Sequence, residues 1–140
     1  MIRPATPHDH EAVAILCGEL GYPTPAAEVA ARLELLGRDA STPVFVFEQT
    51  GQVVGWMQLR ESSTLESGRS VEVIGLVVGH AERGKGVGAA LIAFAKGWAR
   101  TRGHTSLRVR TNQVRTRTHA FYERLGFSLT KVQRVYDAPL

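Results

Sequence analysis

Three glycines at alternate positions, Gly84, Gly86 and Gly88, separate the valine-rich run "VEVIGLVV" from a periodic apolar segment beginning at Val87. Backbone without side chains admits a ligand close to its N–H groups, and a following helix adds partial positive charge at its N-terminus. The ligand such a loop suits is a phosphate. Three phosphate-binding patterns compete for these residues. Gly84-Lys85-Gly86 does not fit G-x-x-x-x-G-K-[ST], and no Ser or Thr follows the lysine to hold magnesium. Gly84, Gly86 and Ala89 do satisfy the relaxed dinucleotide pattern G-x-G-x-x-G/A. That pattern needs an acid about 20 residues on for the ribose hydroxyls, and none stands between Arg83 and Tyr122. The third pattern is [RQ]-x-x-G-x-[GA] at a helix start, read here as Arg83-Gly84-Lys85-Gly86-Val87-Gly88.

The same acid-free segment carries Arg83, Lys85, Lys96, Arg100, Arg102, Arg108, Arg110, Arg115 and Arg117. Its positive field favours a polyanionic ligand, although the whole chain is only +4. Nucleic acid is not the expected polyanion: single-strand binders expose aromatics among their basic residues, whereas Phe94 and Trp98 fall on an apolar helix stripe. Cys17 is the sole cysteine and the five histidines are scattered, so no metal site is expected. Cys17 itself lies on an apolar stripe and reads as core. With 140 residues, 44% of them hydrophobic, and no run long enough to span a bilayer or act as a secretory signal, one cytoplasmic domain over residues 1–140 is expected.

The elements that must position the loop follow from periodicity. "IRPAT" reads as a short strand. Thr6-Pro7-His8-Asp9 is a helix start leading to the stripe Val13, Leu16, Cys17, Leu20 and a stop at Gly21. Thr24-Pro25 opens a second helix with Val29, Leu33 and Leu36 inward. Two strand-like runs, "PVFVFEQ" and "QVVGWMQLRE", join at Thr50-Gly51; a polar loop, "SSTLESGRS", then precedes the buried strand "VEVIGLVV", where Gly75 is a candidate bulge. The glycine loop leads into a helix with Val87, Ala90, Leu91, Phe94, Ala95 and Trp98 on one face. A strand "TSLRVRT", a short helix "THAFYERLG", and one or two final strands in "FSLTKVQRVYDAPL" complete the chain. The order predicts an α/β domain with a mixed sheet.

The stretch "VEVIGLVVGHAERGKGVGAALIAFA" resembles the fourth strand, pyrophosphate loop and third helix of the GNAT superfamily, the acyl-CoA-dependent N-acyltransferases. "HAFYERLGF" resembles its second signature, a helix bearing a tyrosine and closing in Leu-Gly-Phe. The resemblance is strong from Val71 to Phe127 and weaker before. It implies a single, mostly antiparallel mixed sheet with about four flanking helices and two splayed central strands. It implies acetyl-CoA as co-substrate, with its pyrophosphate on the backbone of Arg83, Gly84, Lys85, Gly86, Val87, Gly88 and Ala89. The arm of the coenzyme would run along Leu76, Val77 and Val78, and Arg115, with Arg117 behind it, would reach its phosphates. Where many members carry an asparagine seven residues before the tyrosine, this chain has Arg115; Asn112 is the nearest asparagine and the candidate for that coenzyme contact.

The implied reaction is direct attack by a primary amine on the thioester in a ternary complex. An alkylammonium must first lose a proton, which costs about 4 to 5 kcal/mol at pH 7. The resemblance points to Glu72 as base, directly or through water, with His80 a distant second, and to Tyr122 as acid for the departing thiolate. A backbone N–H around Leu76 to Val78 would stabilise the oxyanion. The acceptor, a small molecule or a protein amine, is not legible, though Glu61 and Glu66 stand where a cationic amine could be met. An acyl-CoA-binding sensor or interaction module without turnover is the rival reading. The resemblance also implies a homodimer through the C-terminal strands.

Overall fold

The computed structural model describes residues 1–111 and 113–140. They form two compact units, Met1–Arg110 and Thr111–Leu140. The first holds five strands, β1 (Ile2–Pro4), β2 (Val44–Gln49), β3 (Gln52–Thr64), β4 (Gly68–Val78) and β5 (Arg108–Val109), with helices α1 (His10–Leu20), α2 (Ala26–Leu36) and α3 (Val87–Thr101). The strands lie in chain order, antiparallel from β1 to β4, and β5 is parallel to β4. A mixed, mostly antiparallel sheet is thus as expected. The second unit holds α4 (Thr116–Arg124).

Local signals explain most boundaries. Pro7–Asp9 form a 3-10 turn before α1, and the Asp9 carboxylate accepts the Thr6 N–H at 2.8 Å. That carboxylate is buried because the Arg3 guanidinium grips it with two nitrogens, at 2.9 and 3.0 Å, while Arg3 Nε binds Glu48. Arg3 thereby holds the Asp9 carboxyl below its usual range and ties β1 to β2 and to the entry of α1. Between β2 and β3, Thr50 and Gly51 both take positive φ, 49° and 77°, which makes the tight hairpin expected of them.

Because side chains alternate along a strand, Val46 and Trp56 face α1 and α2, where they pack with Val13, Val29 and Leu33. Phe45 faces the other way and meets Phe94 of α3 edge-on at 4.7 Å. Gly55 shares that second face: a Cβ there would stand 3.3 Å from Val87 and 3.6 Å from Leu91, so its absence lets α3 lie close to the sheet. Cys17 packs against the first core cluster, and burial raises its thiol's pKa, as suits a core residue.

Two expectations need correction. The polar loop after β3 is largely strand: Ser62, Ser63 and Thr64 pair with Ser70, Arg69 and Gly68 in a long hairpin. Ladder bonds are made by backbone, so pairing continues beyond the last apolar side chain. The final strands are absent among the described residues, since 127–140 form neither helix nor strand. Their apolar side chains, Leu129, Val132, Val135 and Tyr136, break strict alternation and are exposed, giving an edge no face to bury.

Candidate active site

The site grows from β4. Opposite it, Gln58 pairs with Gly75 and Leu59 with Val73, so Ile74 is the extra residue of a bulge and Gly75 sits beside it. A Cβ on Gly75 would fall 2.6 Å from Trp56 Cζ3 and 2.8 Å from Cη2, so the indole occupies the space a side chain would need. The bulge expected here and the close approach of the indole thus fall at the same place. Among the described residues β5 pairs with β4 only at Glu72–Arg108 and Val73–Val109. Beyond the bulge, β4 keeps β3 on one side and has left β5 on the other, which is the splay.

Backbone direction along that open stretch follows from the ladder. The Gly79 N–H bonds Val54 O at 2.9 Å, so Gly79 and Val77 turn toward β3, while Leu76 and Val78 turn outward. Val78 O is taken by Arg83 Nε at 3.2 Å. Of the three expected positions, Leu76 and Val78 present backbone groups to the open edge, and Val77 holds the sheet together.

The glycine loop continues from the end of β4. Gly84 and Gly86 adopt φ of +77° and +86°, and no other group lies within 4 Å of where their Cβ atoms would be. Gly86 is the N-cap of α3, and the first donor inside the helix is the Ala90 N–H, to Gly86 O at 3.0 Å. The N–H groups of Val87, Gly88 and Ala89 therefore precede the first intrahelical bond and face the N-terminus. Glu82, two residues before Gly84, is paired with Lys85 at 3.5 Å. A pyrophosphate fits this cradle: the left-handed glycines open it, donors line it and its acid is neutralised. His80 is exposed in the turn before the loop, and its backbone N–H bonds Glu19.

Glu72 lies between β3 and β5, almost wholly buried. Arg110 donates to its Oε1 at 3.0 Å and Arg60 approaches Oε2 at 3.4 Å, so both oxygens carry a guanidinium. Glu61, expected as a contact for a cationic amine, is committed elsewhere. It is ion-paired with Arg69 and Arg102 and hydrogen-bonded by His104 Nε2, and the bonds from His104 and Arg102 hold its carboxyl down at about 2. This cluster, which spacing alone did not reveal, ties the β3–β4 hairpin to the end of α3.

In the second unit Tyr122 is buried, with Phe121 and Phe127 edge-on to its ring at 5.1 and 5.5 Å. Burial pushes its phenol up to about 12, against an opposing pull from Arg115. Arg115 is the N-cap of α4, and Arg117 follows in the first turn. Asn112 lies outside the described residues. Among the described residues no His, Cys, Asp and Glu cluster could hold a metal, and no helix is long and apolar enough to cross a membrane.

The profile of the acetyltransferase (GNAT) family matches residues 10–127. The chain belongs to that family. Streptothricin acetyltransferase from Escherichia coli is 38% identical over 78 residues, 56% of this chain; the match takes in 42% of that protein, so the chain spans less than half of it. Among solved structures, an aminoglycoside N-acetyltransferase in complex with CoA superposes with a TM-score of 0.88 at 21% identity, over 100% of this chain and 95% of that one. An acetyltransferase from Trypanosoma brucei superposes with a TM-score of 0.82 at 26% identity, over 99% of each chain.

Proposed function

We propose that the chain transfers the acetyl group of acetyl-CoA to a primary amine by direct attack in a ternary complex, and that residues 1–140 act as one acetyltransferase domain. The observation that carries this reading is the continuity of the open β4 edge with the glycine cradle. A thioester arm laid along Leu76 to Val78 leads straight to a phosphate site at Arg83 to Ala89. The family match, running from residue 10 to residue 127 across both units, supports treating them together.

The residues divide the work as follows. The cradle and the N-terminus of α3 bind the pyrophosphate, with Arg115 and Asn112 as further coenzyme contacts. The Leu76 N–H, turned outward and without β5 beside it, is the oxyanion donor. The amine nitrogen bonds to the carbonyl carbon, the C–S bond breaks, and the ammonium proton leaves toward Glu72. Since both Glu72 oxygens already accept from guanidiniums, that proton arrives through water at a remaining lone pair. To Tyr122 falls the role of donor to the departing sulfur. A phenol near 12 holds its proton more tightly than a thiol of ordinary pKa near 8.5, so Tyr122 stabilises the thiolate by a hydrogen bond rather than by full transfer.

The ion-paired state of Glu72 is also what a coenzyme-binding module without turnover would show. One experiment separates the readings: calorimetry with acetyl-CoA on wild type and Gly86→Glu, beside thiol release with an amine panel. We expect binding in the wild type and its loss in Gly86→Glu, whose side chain fills the cradle with negative charge. Glu72→Gln and Tyr122→Phe should each lower kcat tenfold or more with coenzyme binding kept. Binding without turnover on any amine would leave the module; no binding by the folded wild type would remove both.

A further inference from the structure

The sheet face that α1 and α2 cover ends in a charge cluster with a surplus of one sign. Trp56 fixes the face, so Gln58 and Arg60 share it, and Gly75 and Glu72 stand opposite them on β4. In the parallel pair, Arg108 lies beside Glu72, and Arg110 two residues on returns to the same face, where it binds Glu72. One buried carboxylate thus carries two guanidiniums, and a third arginine, Arg108, stands beside it in the ladder. Arg60 and Arg110 are 48% and 55% exposed, and Arg108 is exposed as well. The next acid along β3, Glu61, points to the opposite face and is committed to His104, Arg102 and Arg69. The phosphate cradle lies past the other end of β4, beyond Val78, so these arginines are not part of it.

We propose that the amine acceptor carries an anionic group, a carboxylate or a phosphate, which Arg60 and Arg108 hold while Glu72 positions Arg60 from below. The proposal rests on the acetyltransferase reading above and names its substrate class. From Glu72 to Leu76 is about 10 to 13 Å of strand. An extended arginine and an amine a few atoms long together cover that span. Arg60 offers five donors in a planar fork and uses one on Glu72, which leaves the fork open to a second anion. A polycationic acceptor would meet like charge here instead.

The test uses the full chain at saturating acetyl-CoA and follows thiol release with four acceptors. Propylamine, β-alanine and 2-aminoethyl phosphate are alike except for the anionic group, and kanamycin is a polycationic aminosugar. We expect β-alanine or aminoethyl phosphate to exceed propylamine in kcat/KM by about tenfold or more, whichever is higher identifying carboxylate or phosphate as the group held. Arg108→Gln should raise KM for that acceptor by about tenfold with kcat little changed and propylamine unaffected, while Arg60→Gln, which also unclamps Glu72, should raise that KM by at least as much and lower kcat for every acceptor. Should Arg60→Gln fail to fold, Arg108→Gln carries the same comparison. Equal rates with propylamine, preference for kanamycin, or equal losses for all four acceptors in Arg108→Gln would overturn the proposal. So would a wild type that binds acetyl-CoA and turns over neither anionic amine. A wild type that binds no acetyl-CoA would overturn the acetyltransferase reading instead, which separates the two failures.

Discussion

Glu72 and Tyr122 illustrate how much of a residue's chemistry is set by what surrounds it. A lone acid in the strand "VEVIGLVV" reads as reactive because burying a carboxylate without a partner is costly. Arg60 and Arg110 supply the partners, so burial alone does not mark a base, and any proton it receives crosses water. Tyr122 shows the opposite case: apolar rings surround it, and its phenol rises from an ordinary value near 10 to about 12. A raised pKa on folding favours the protonated form, so its contribution to stability is full below about pH 10 and is lost as pH rises through about 12. Alkaline unfolding should therefore show a loss of stability between pH 10 and 12 in the wild type that Tyr122→Phe lacks. In the accessible range below pH 10 the rate should show no fall from loss of the phenolic proton; a fall there that Tyr122→Phe abolishes would mean the phenol ionises well below 12, and an unchanged rate in Tyr122→Phe would remove it as donor.

At the scale of elements, the working geometry comes from a few places where strands stop being regular. The bulge at Ile74 and the early departure of β5 leave Leu76 facing outward, and Gly75 admits the Trp56 indole against the strand. Gly75→Ala should cost about 1 to 3 kcal/mol in denaturant unfolding, because a methyl group 2.6 Å from the ring must displace it. In a Trp56→Leu background the same change should cost much less. Equal costs in both backgrounds would mean that the backbone itself, not the indole, requires glycine there. The hairpin between β3 and β4 runs farther than its apolar side chains, and the Glu61 cluster fastens its far end to α3. Glycine positions and turns were legible because they depend on local φ, whereas the hairpin's extent depends on backbone pairing, which side-chain patterning does not encode.

For the whole molecule, the proposed single domain predicts one cooperative thermal transition that includes both units and moves upward with acetyl-CoA. At a coenzyme concentration of 100 Kd the stabilisation should be about 2.7 kcal/mol. Two separated transitions in calorimetry, only one of them shifted by the coenzyme, would show that the units fold apart. By itself the sequence determined the family, the position of the glycine loop, the order of elements through α4 and the apolar faces of the helices. These rest on spacing within a few residues of chain, at the periods of helix and strand. Only the tertiary structure decided that Glu72 is clamped by Arg60 and Arg110, that Glu61 serves the hairpin rather than an acceptor, and that Leu76 rather than Val77 faces the open edge. Those outcomes join residues 12, 38 and 43 positions apart, and depend on sheet register and on which face each side chain takes. A shift of one residue in pairing would reverse them while leaving every motif in the sequence intact.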